Sequence, residues 1–407
     1  MERFQGVLGI IVIIGVLIAL SRSRKNIKWR TLGVGLALQV IFALLVMKWG
    51  PGVTVLKAIA GGVQKLTDYT NEGTAFVFGS LMPADSKGFV FALNVLPVII
   101  FLGMLIQALY YLRIIQYVVD GVGFVLGKLL GVSKIEAVWS ATVIFLGQSE
   151  APLLIKPYLS KLTKAQLYTC MCGGFASVAG STLIGYSLLG APLPALLAAS
   201  LMNAPGSIIV AKVLFPDTEE SDLDGNVRNV RDEESHNFID ALSRGAMAGG
   251  RIAIAVACML IAFIALIHMC DGIIGCIGGW FGQANWSLEG FFGLILSPFA
   301  WLIGVPWHEA PMVANFIGQK TVLNEFVGYT ALHDAIEAHK ISSKSLLLST
   351  FALAGFANFG SIAIQIGTYS ALVPERRAEV AKLAPMALFG GFCVNMLNAA
   401  IVGVVAS

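Results

Sequence analysis

Charge is the scarcest property of this sequence. Only 13% of its 407 residues are Asp, Glu, Lys or Arg, against 57% that are hydrophobic, which is too little polar surface to coat a soluble globule of this size. A water-soluble domain is excluded, and lipid must cover much of the chain. The basic residues form no stripe of the kind that grips nucleic acid; they stand between apolar segments, and the net charge is only +3. Cysteine is also sparse. Cys170, Cys172, Cys258, Cys270, Cys276 and Cys393 lie mostly in apolar runs, as small buried hydrophobes do. Cys170 and Cys172 lack a second ligand pair at metal spacing, which argues against zinc. A bridge between Cys270 and Cys276 stays open. His308-Glu309 opens like a zinc-protease helix, but Met312 stands where the second His is needed and Pro311 would disrupt the helix. These residues point to no metal site, and no cofactor is expected.

Glycine, by contrast, is abundant, with 44 residues, which suits membrane helices that pack through small side chains. A spanning helix needs about 20 apolar residues, and on that ruler eight spans are expected. They run roughly over 5–21, 31–48, 89–112, two within 165–211 broken near Gly190-Ala191-Pro192-Leu193-Pro194, one after Arg251, 345–370 and 383–406. The first apolar run ends on no small-residue cleavage site. Ser21-Arg22-Ser23-Arg24-Lys25 follows, then Lys28 and Arg30, a positive-inside stop signal that places the N-terminus outside. The segment 53–70, with Lys57, Lys65 and Asp68, is too charged to cross and is expected to lie flat on the outer surface. Loops at 22–30, 216–235 and 375–382 carry Arg or Lys and fall inside, so the C-terminus is outside too.

Two apolar stretches, 135–164 and 288–330, do not fit as spans if the orientation is to stay consistent. Each has apolar halves interrupted by carboxylates and by Gly or Pro, as a re-entrant helical hairpin would. The first would enter from the cytoplasm and the second from outside. Gly174-Phe175-Ala176-Ser177-Val178-Ala179-Gly180-Ser181 and Gly355-Phe356-Ala357-Asn358-Phe359-Gly360-Ser361 are similar strings, each after one hairpin, in spans that cross in opposite directions. The chain therefore reads as an all-α polytopic membrane protein with an inverted repeat and broken helices, the architecture of a secondary transporter. Its expected parts are 1–112 (first spans and surface helix), 113–215 (first repeat), 216–250 (cytoplasmic loop and interfacial helix), 251–287 (sixth span) and 288–407 (second repeat).

A carboxylate at membrane depth costs about 3 kcal/mol or more unless paired, hydrated or protonated, so it marks function. Glu150, in Gly147-Gln148-Ser149-Glu150, and Glu325, in Asn324-Glu325-Phe326, are such residues. Ionised carboxylates accept hydrogen bonds from a vicinal diol, and Gln and Asn amides offer donors and acceptors. Phe356 offers a face to a planar ring. The set suits a neutral sugar joined to a base and would repel an anion.

Gly-Gln-Ser-Glu-Ala at 147–151, Gly-Val-Pro-Trp-His-Glu-Ala at 304–310, Asn-Glu-Phe-Val at 324–327 and Gly-Phe-Ala-Asn at 355–358 stand in the order seen in bacterial concentrative nucleoside transporters, which the sequence resembles over nearly its whole length. The resemblance implies a homotrimer whose protomers have eight spans, two opposed hairpins and a surface helix, in a bacterial inner membrane. It implies base contacts from Gln148 and Glu150 with Ser149 nearby, a base pocket lined by Phe356 and Thr182, and ribose contacts from Glu325, Asn358 and Ser361. Sodium-coupled members resemble one another in an Asn five residues before the Gln, where this chain has Val143; the remaining ligands would be the Leu146 carbonyl, the Ser177 hydroxyl and the Val178 carbonyl. Losing one oxygen weakens a site for a hard cation, which favours a proton, carried by Glu150 or Glu325. The implied activity is nucleoside:cation symport by alternating access, with no covalent chemistry. Transport of a free base or sugar, a passive channel, and an intramembrane hydrolase are the alternatives.

Overall fold

The computed structural model describes residues 2–79, 90–219, 221, 223, 227, 228, 230–232, 234–280 and 286–406. Its regular structure among these is entirely helical. The helices are α1 (Glu2–Ala19), α2 (Trp29–Met47), α3 (Gly50–Phe78), α4 (Phe91–Asn94), α5 (Leu96–Tyr111), α6 (Ile114–Leu130), α7 (Lys134–Thr142), α8 (Ala151–Leu154) and α9 (Lys164–Ala176). There follow α10 (Gly180–Leu188), α11 (Leu193–Leu214), α12 (Phe238–Trp280), α13 (Leu288–Leu302), α14 (Ala310–Val322), α15 (Glu325–Glu337), α16 (Ser343–Leu353), α17 (Phe359–Leu372) and α18 (Arg377–Ala406). Among the described residues six stretches are long and apolar enough to cross a membrane: Trp29–Met47, Phe91–Tyr111, Lys164–Leu188, Leu193–Leu214, Phe238–Trp280 and Pro374–Ala406. Phe4–Ala19 and Gly290–Leu302 are shorter apolar helices.

Burial sorts these helices into a centre and a rim. Within Lys164–Leu188 an 18-residue window is 94% buried inside the protein, whereas the corresponding window of Phe238–Trp280 is only 22% buried and that helix turns Ile254, Ile261 and Trp280 outward. Bare apolar residues of that size need a hydrocarbon solvent. At the rim, α12 meets α5 where Gly103 faces Gly245 and Gly249; a Cβ on Gly103 would stand 2.9 Å from both the Gly245 carbonyl oxygen and the Gly249 Cα. The i, i+4 glycine pair lets two backbones touch. At the centre α9, α11 and α18 pack together, with Gly391 of α18 held against Phe175 and the Ala176 backbone.

Local sequence sets the helix ends. Thr163 and Gln166 form a reciprocal capping box at the start of α9, with bonds of 3.2 and 3.0 Å. Asn324, Ser342 and Asn358 cap α15, α16 and α17 through their side-chain oxygens. Gly131, at φ 65°, closes α6 in the left-handed region. The expected break near Gly190 falls between Leu188 and Leu193, and both similar strings lie at breaks, one between α9 and α10 and the other between α16 and α17.

Several bounds differ from the sequence expectation. α12 is one helix straight through residue 250, and α3 extends well beyond 53–70. Within 288–330 the helical breaks fall between α13 and α14 and again at Leu323-Asn324, so Glu325 opens a helix of its own. All six cysteines are free. Cys270 and Cys276 lie six residues apart on one straight helix, a rise of about 9 Å, which is beyond disulfide reach.

Candidate functional site

The two helix breaks meet. Ser177 and Ala179 take extended backbone after α9, Asn358 does the same before α17 while Ala354 leaves the helical region at ψ 72°, and the Phe356 amide donates to the Ser177 carbonyl at 3.1 Å. Unwound backbone in a buried place must find partners. Asn395 supplies them: its Nδ2 donates to the Ala176 carbonyl at 3.2 Å and to the Ala354 carbonyl at 2.8 Å. Asn203 also donates to Ala354, at 3.2 Å, and accepts from Asn395 and Asn398, while Gln39 donates to Asn398. Lys320 on α14 completes the cluster. Its amino group is fully buried and donates to Asn395 Oδ1 at 3.0 Å and to the Ala352 carbonyl, at the C-terminal end of α16, at 3.5 Å.

Above this junction the predicted polar residues form one chain of hydrogen bonds. Gln148 Nε2 donates to Ser361 Oγ at 2.7 Å, and the Ser361 amide donates to Asn358 Oδ1 at 2.8 Å. Asn358 Nδ2 then donates to Glu325 Oε2 at 3.0 Å. The other carboxylate oxygen accepts from the Tyr186 hydroxyl, also at 3.0 Å, while the Thr182 hydroxyl, one turn earlier on α10, donates to the Ala179 carbonyl at 3.0 Å. The Tyr186 ring lies on Tyr329 with centroids 4.4 Å apart and 16° between planes. A carboxylate 5% exposed is thus paired with two donors rather than with water.

Gln148, Glu325, Asn358 and Ser361 are therefore brought together, and Thr182 lies buried one turn before Tyr186 on α10. Phe356 is half-buried and lies against the 143–150 turn, where a Cβ on Gly147 would stand 3.4 Å from its ring and 2.9 Å from Ala179 Cβ. Glu150 is half-buried and turned to its own loop, accepting from the Gly147 amide at 3.4 Å. Ser149 points outward and is exposed. Val143, Leu146, Ser177 and Val178 are all buried where the turn after α7 faces the α9–α10 break. The Ser177 hydroxyl donates to the Gly174 carbonyl at 2.7 Å, which leaves its oxygen lone pairs free for a cation. Among the described residues no group of three or more His, Cys, Asp or Glu is placed to hold a metal ion. Glu309 does not join the site. It accepts from the Ser342 amide and hydroxyl at 3.3 and 2.8 Å, which ties the start of α14 to the start of α16.

Sequence reasoning did not single out Tyr186, Gln365, Lys320 or the asparagine cluster. The signal for Lys320 was present: one charge within the otherwise uncharged stretch 310–324.

Comparison with known proteins adds the family. Residues 8–81 match the model of the Na+ dependent nucleoside transporter N-terminus, 92–193 that for nucleoside recognition, and 195–403 that of the Na+ dependent nucleoside transporter C-terminus. The chain is similar to the uncharacterized transporter YutK of Bacillus subtilis, 46% identical over 99% of both chains. It is 38% identical to the nucleoside permease NupC of Helicobacter pylori, covering 98% of this chain and 96% of that one. Among solved structures it resembles CNTnw in an inward-facing substrate-bound state, with TM-score 0.94 and 41% identity over 99% of this chain and 98% of the other. These relatives are transporters and permeases, not enzymes. A full-length match of sequence and fold, with three family models covering most of the chain, places it in the family of concentrative, Na+-dependent nucleoside transporters.

Proposed function

We propose that this protein imports nucleosides across a bacterial inner membrane by symport with a proton, through alternating access. The observation that carries the proposal is the chain of hydrogen bonds from Gln148 through Ser361 and Asn358 to Glu325. Amides and a hydroxyl stand at one end and a buried carboxylate at the other, as a ligand with a base and a diol requires. In this account Glu325, Asn358 and Ser361 hold the ribose, Gln148 and Glu150 the base edge, and Phe356 and Thr182 its faces. The Tyr186 hydroxyl occupies the place on Glu325 that a ribose hydroxyl would take.

Val143 supports the proton. A side chain without oxygen stands where a sodium site needs a ligand, leaving the Leu146 and Val178 carbonyls and the Ser177 hydroxyl, too few for a tight Na+ cage. The other carboxylate at membrane depth, the half-buried Glu150, can carry the proton instead, which leaves Glu325 ionised to accept the ribose hydroxyls.

The membrane arrangement follows from the same elements. Adding α1 and the broken pair α16–α17 to the six long apolar stretches gives eight spans. The pairs flanking 143–150 and 323–324 act as opposed re-entrant hairpins, both termini lie outside, and three protomers assemble. NupC of Helicobacter pylori is named a nucleoside permease and CNTnw is described as substrate-bound, which supports the substrate class. Competition against labelled uridine uptake tests it. Unlabelled uridine or adenosine is expected to compete and free uracil or ribose is not; competition by uracil alone would make the substrate a nucleobase.

A further inference from the structure

The buried face of α17 consists of three residues, Ser361, Gln365 and Tyr369, at i, i+4 and i+8, and all three are polar. A face that served packing alone would be apolar in a membrane protein. Ser361 belongs to the site already described. Gln365 does not, yet it touches that site: its Nε2 donates to Gln148 Oε1 at 3.3 Å and to the Met171 carbonyl of α9 at 3.1 Å. It is 1% exposed, and among the described residues its own Oε1 has no hydrogen-bond partner. Burying that oxygen costs stability that Leu or Met would not cost. Gly174 opens the space it fills, since a Cβ there would stand 2.7 Å from Gln365 Nε2 and 3.4 Å from Gln148 Cβ.

The consequence concerns the direction of the Gln148 amide. A glutamine amide has a donor end and an acceptor end, and a half-turn exchanges them. One turn of α17 holds both ends: the Ser361 hydroxyl takes the donor and Gln365 takes the acceptor. Gln148 then offers its second N–H and its second lone pair in fixed directions. We infer that Gln365 is a positioning residue for Gln148, one that locks the amide ready for the nucleobase and sets base affinity without touching the substrate. The inference rests on the proposal that Gln148 contacts the base.

A double-mutant cycle tests it. Q365M keeps the volume and removes the donor; Q365E keeps shape and polarity but turns the donor into an acceptor facing Gln148 Oε1. Dissociation constants for uridine and adenosine are measured by calorimetry on Q365M, Q365E, Q148A and Q148A/Q365M, with monodispersity in detergent as the check on folding. Q365M and Q365E are each expected to weaken binding roughly five- to tenfold, the worth of one hydrogen bond. In the Q148A background, adding Q365M is expected to change affinity by less than about twofold, because the group it positions is gone. Equal losses in both backgrounds would make Gln365 a packing residue and overturn the inference. Unchanged affinity in both single Gln365 variants would overturn it as well. Unchanged affinity in Q148A alone would instead remove Gln148 from the site, so failure of the underlying proposal is told apart from failure of this one.

Discussion

Replacing Glu325 with Gln removes one negative charge and almost no volume, so it isolates what the charge does. Glu325 accepts from Tyr186 on one oxygen and from Asn358 on the other, each at 3.0 Å. The new amide can turn its oxygen to Asn358 and its N–H to Tyr186, whose phenol reverses from donor to acceptor, so both contacts survive as neutral bonds and the variant folds. The loss falls on the substrate. A hydrogen bond to an ionised acceptor is worth about 1.5–3 kcal/mol against about 1 kcal/mol for a neutral one. Two ribose hydroxyls on this carboxylate therefore lose about 2–3 kcal/mol together, or roughly 30- to 150-fold in affinity. Calorimetric titration of the purified variant with uridine and adenosine reads this directly, and uptake into proteoliposomes is expected to fall with it. A monodisperse Glu325→Gln protein that binds nucleoside within about threefold of the parent would take Glu325 out of the site and refute the reasoning.

Three further outcomes follow from the packing and the charges. A Cβ on Gly249 would stand 2.7 Å from the Ile99 carbonyl oxygen and 2.8 Å from Ile100 Cα, whereas Gly250 faces open space; Gly249→Ala is expected to cost about 1–3 kcal/mol of stability, read as a lower melting temperature, while Gly250→Ala matches or exceeds the parent. Asn395→Leu strips donors from the Ala176 and Ala354 carbonyls and an acceptor from Lys320, so a loss of about 3 kcal/mol or more is expected as aggregation on gel filtration at temperatures the parent survives. Burial pushes the Asp217 carboxyl up, but the ammonium groups of Lys212 and Lys28 outweigh it and hold the group below its ordinary 3.8. A carboxyl lowered on folding contributes stability that is complete above its unfolded value and is lost as pH falls through the folded one, so Asp217→Asn is expected to melt below the parent at pH 7, and the gap to close below about pH 4.

Hydropathy made the membrane helices legible because a span must hide its backbone in lipid and needs length to do so. The break near Gly190 was legible for a local reason too: two prolines close together leave no continuous helix. The end of α14 was not, because Thr321-Val322-Leu323 carries no breaker and the helix stops only where Asn324 turns its side chain to cap α15. Nor was the start of α12, since residues 238–250 are mixed in polarity and helix continuity does not require an apolar surface all round. Within the site, Gln148 and Glu325 stood out because polar groups at membrane depth always ask for a partner. The partners themselves did not. Tyr186 meets Glu325 from 139 residues away and Gln365 meets Gln148 from 217 away, separations at which spacing along the chain carries no information. A tyrosine or glutamine facing lipid and one facing a carboxylate look alike in sequence.

The central claim is that this protein accumulates intact nucleoside at the expense of a cation gradient, and reconstituted uptake tests it most directly. Purified protein in proteoliposomes is given labelled uridine or adenosine with proton and sodium gradients imposed independently. The account predicts accumulation above the external concentration under an inward proton gradient in sodium-free buffer, abolished by a protonophore. A strict requirement for sodium that survives the protonophore would replace the proton with Na+ at the Leu146, Ser177 and Val178 oxygens. Equilibration to the external concentration and no further, under either gradient, would contradict the claim itself.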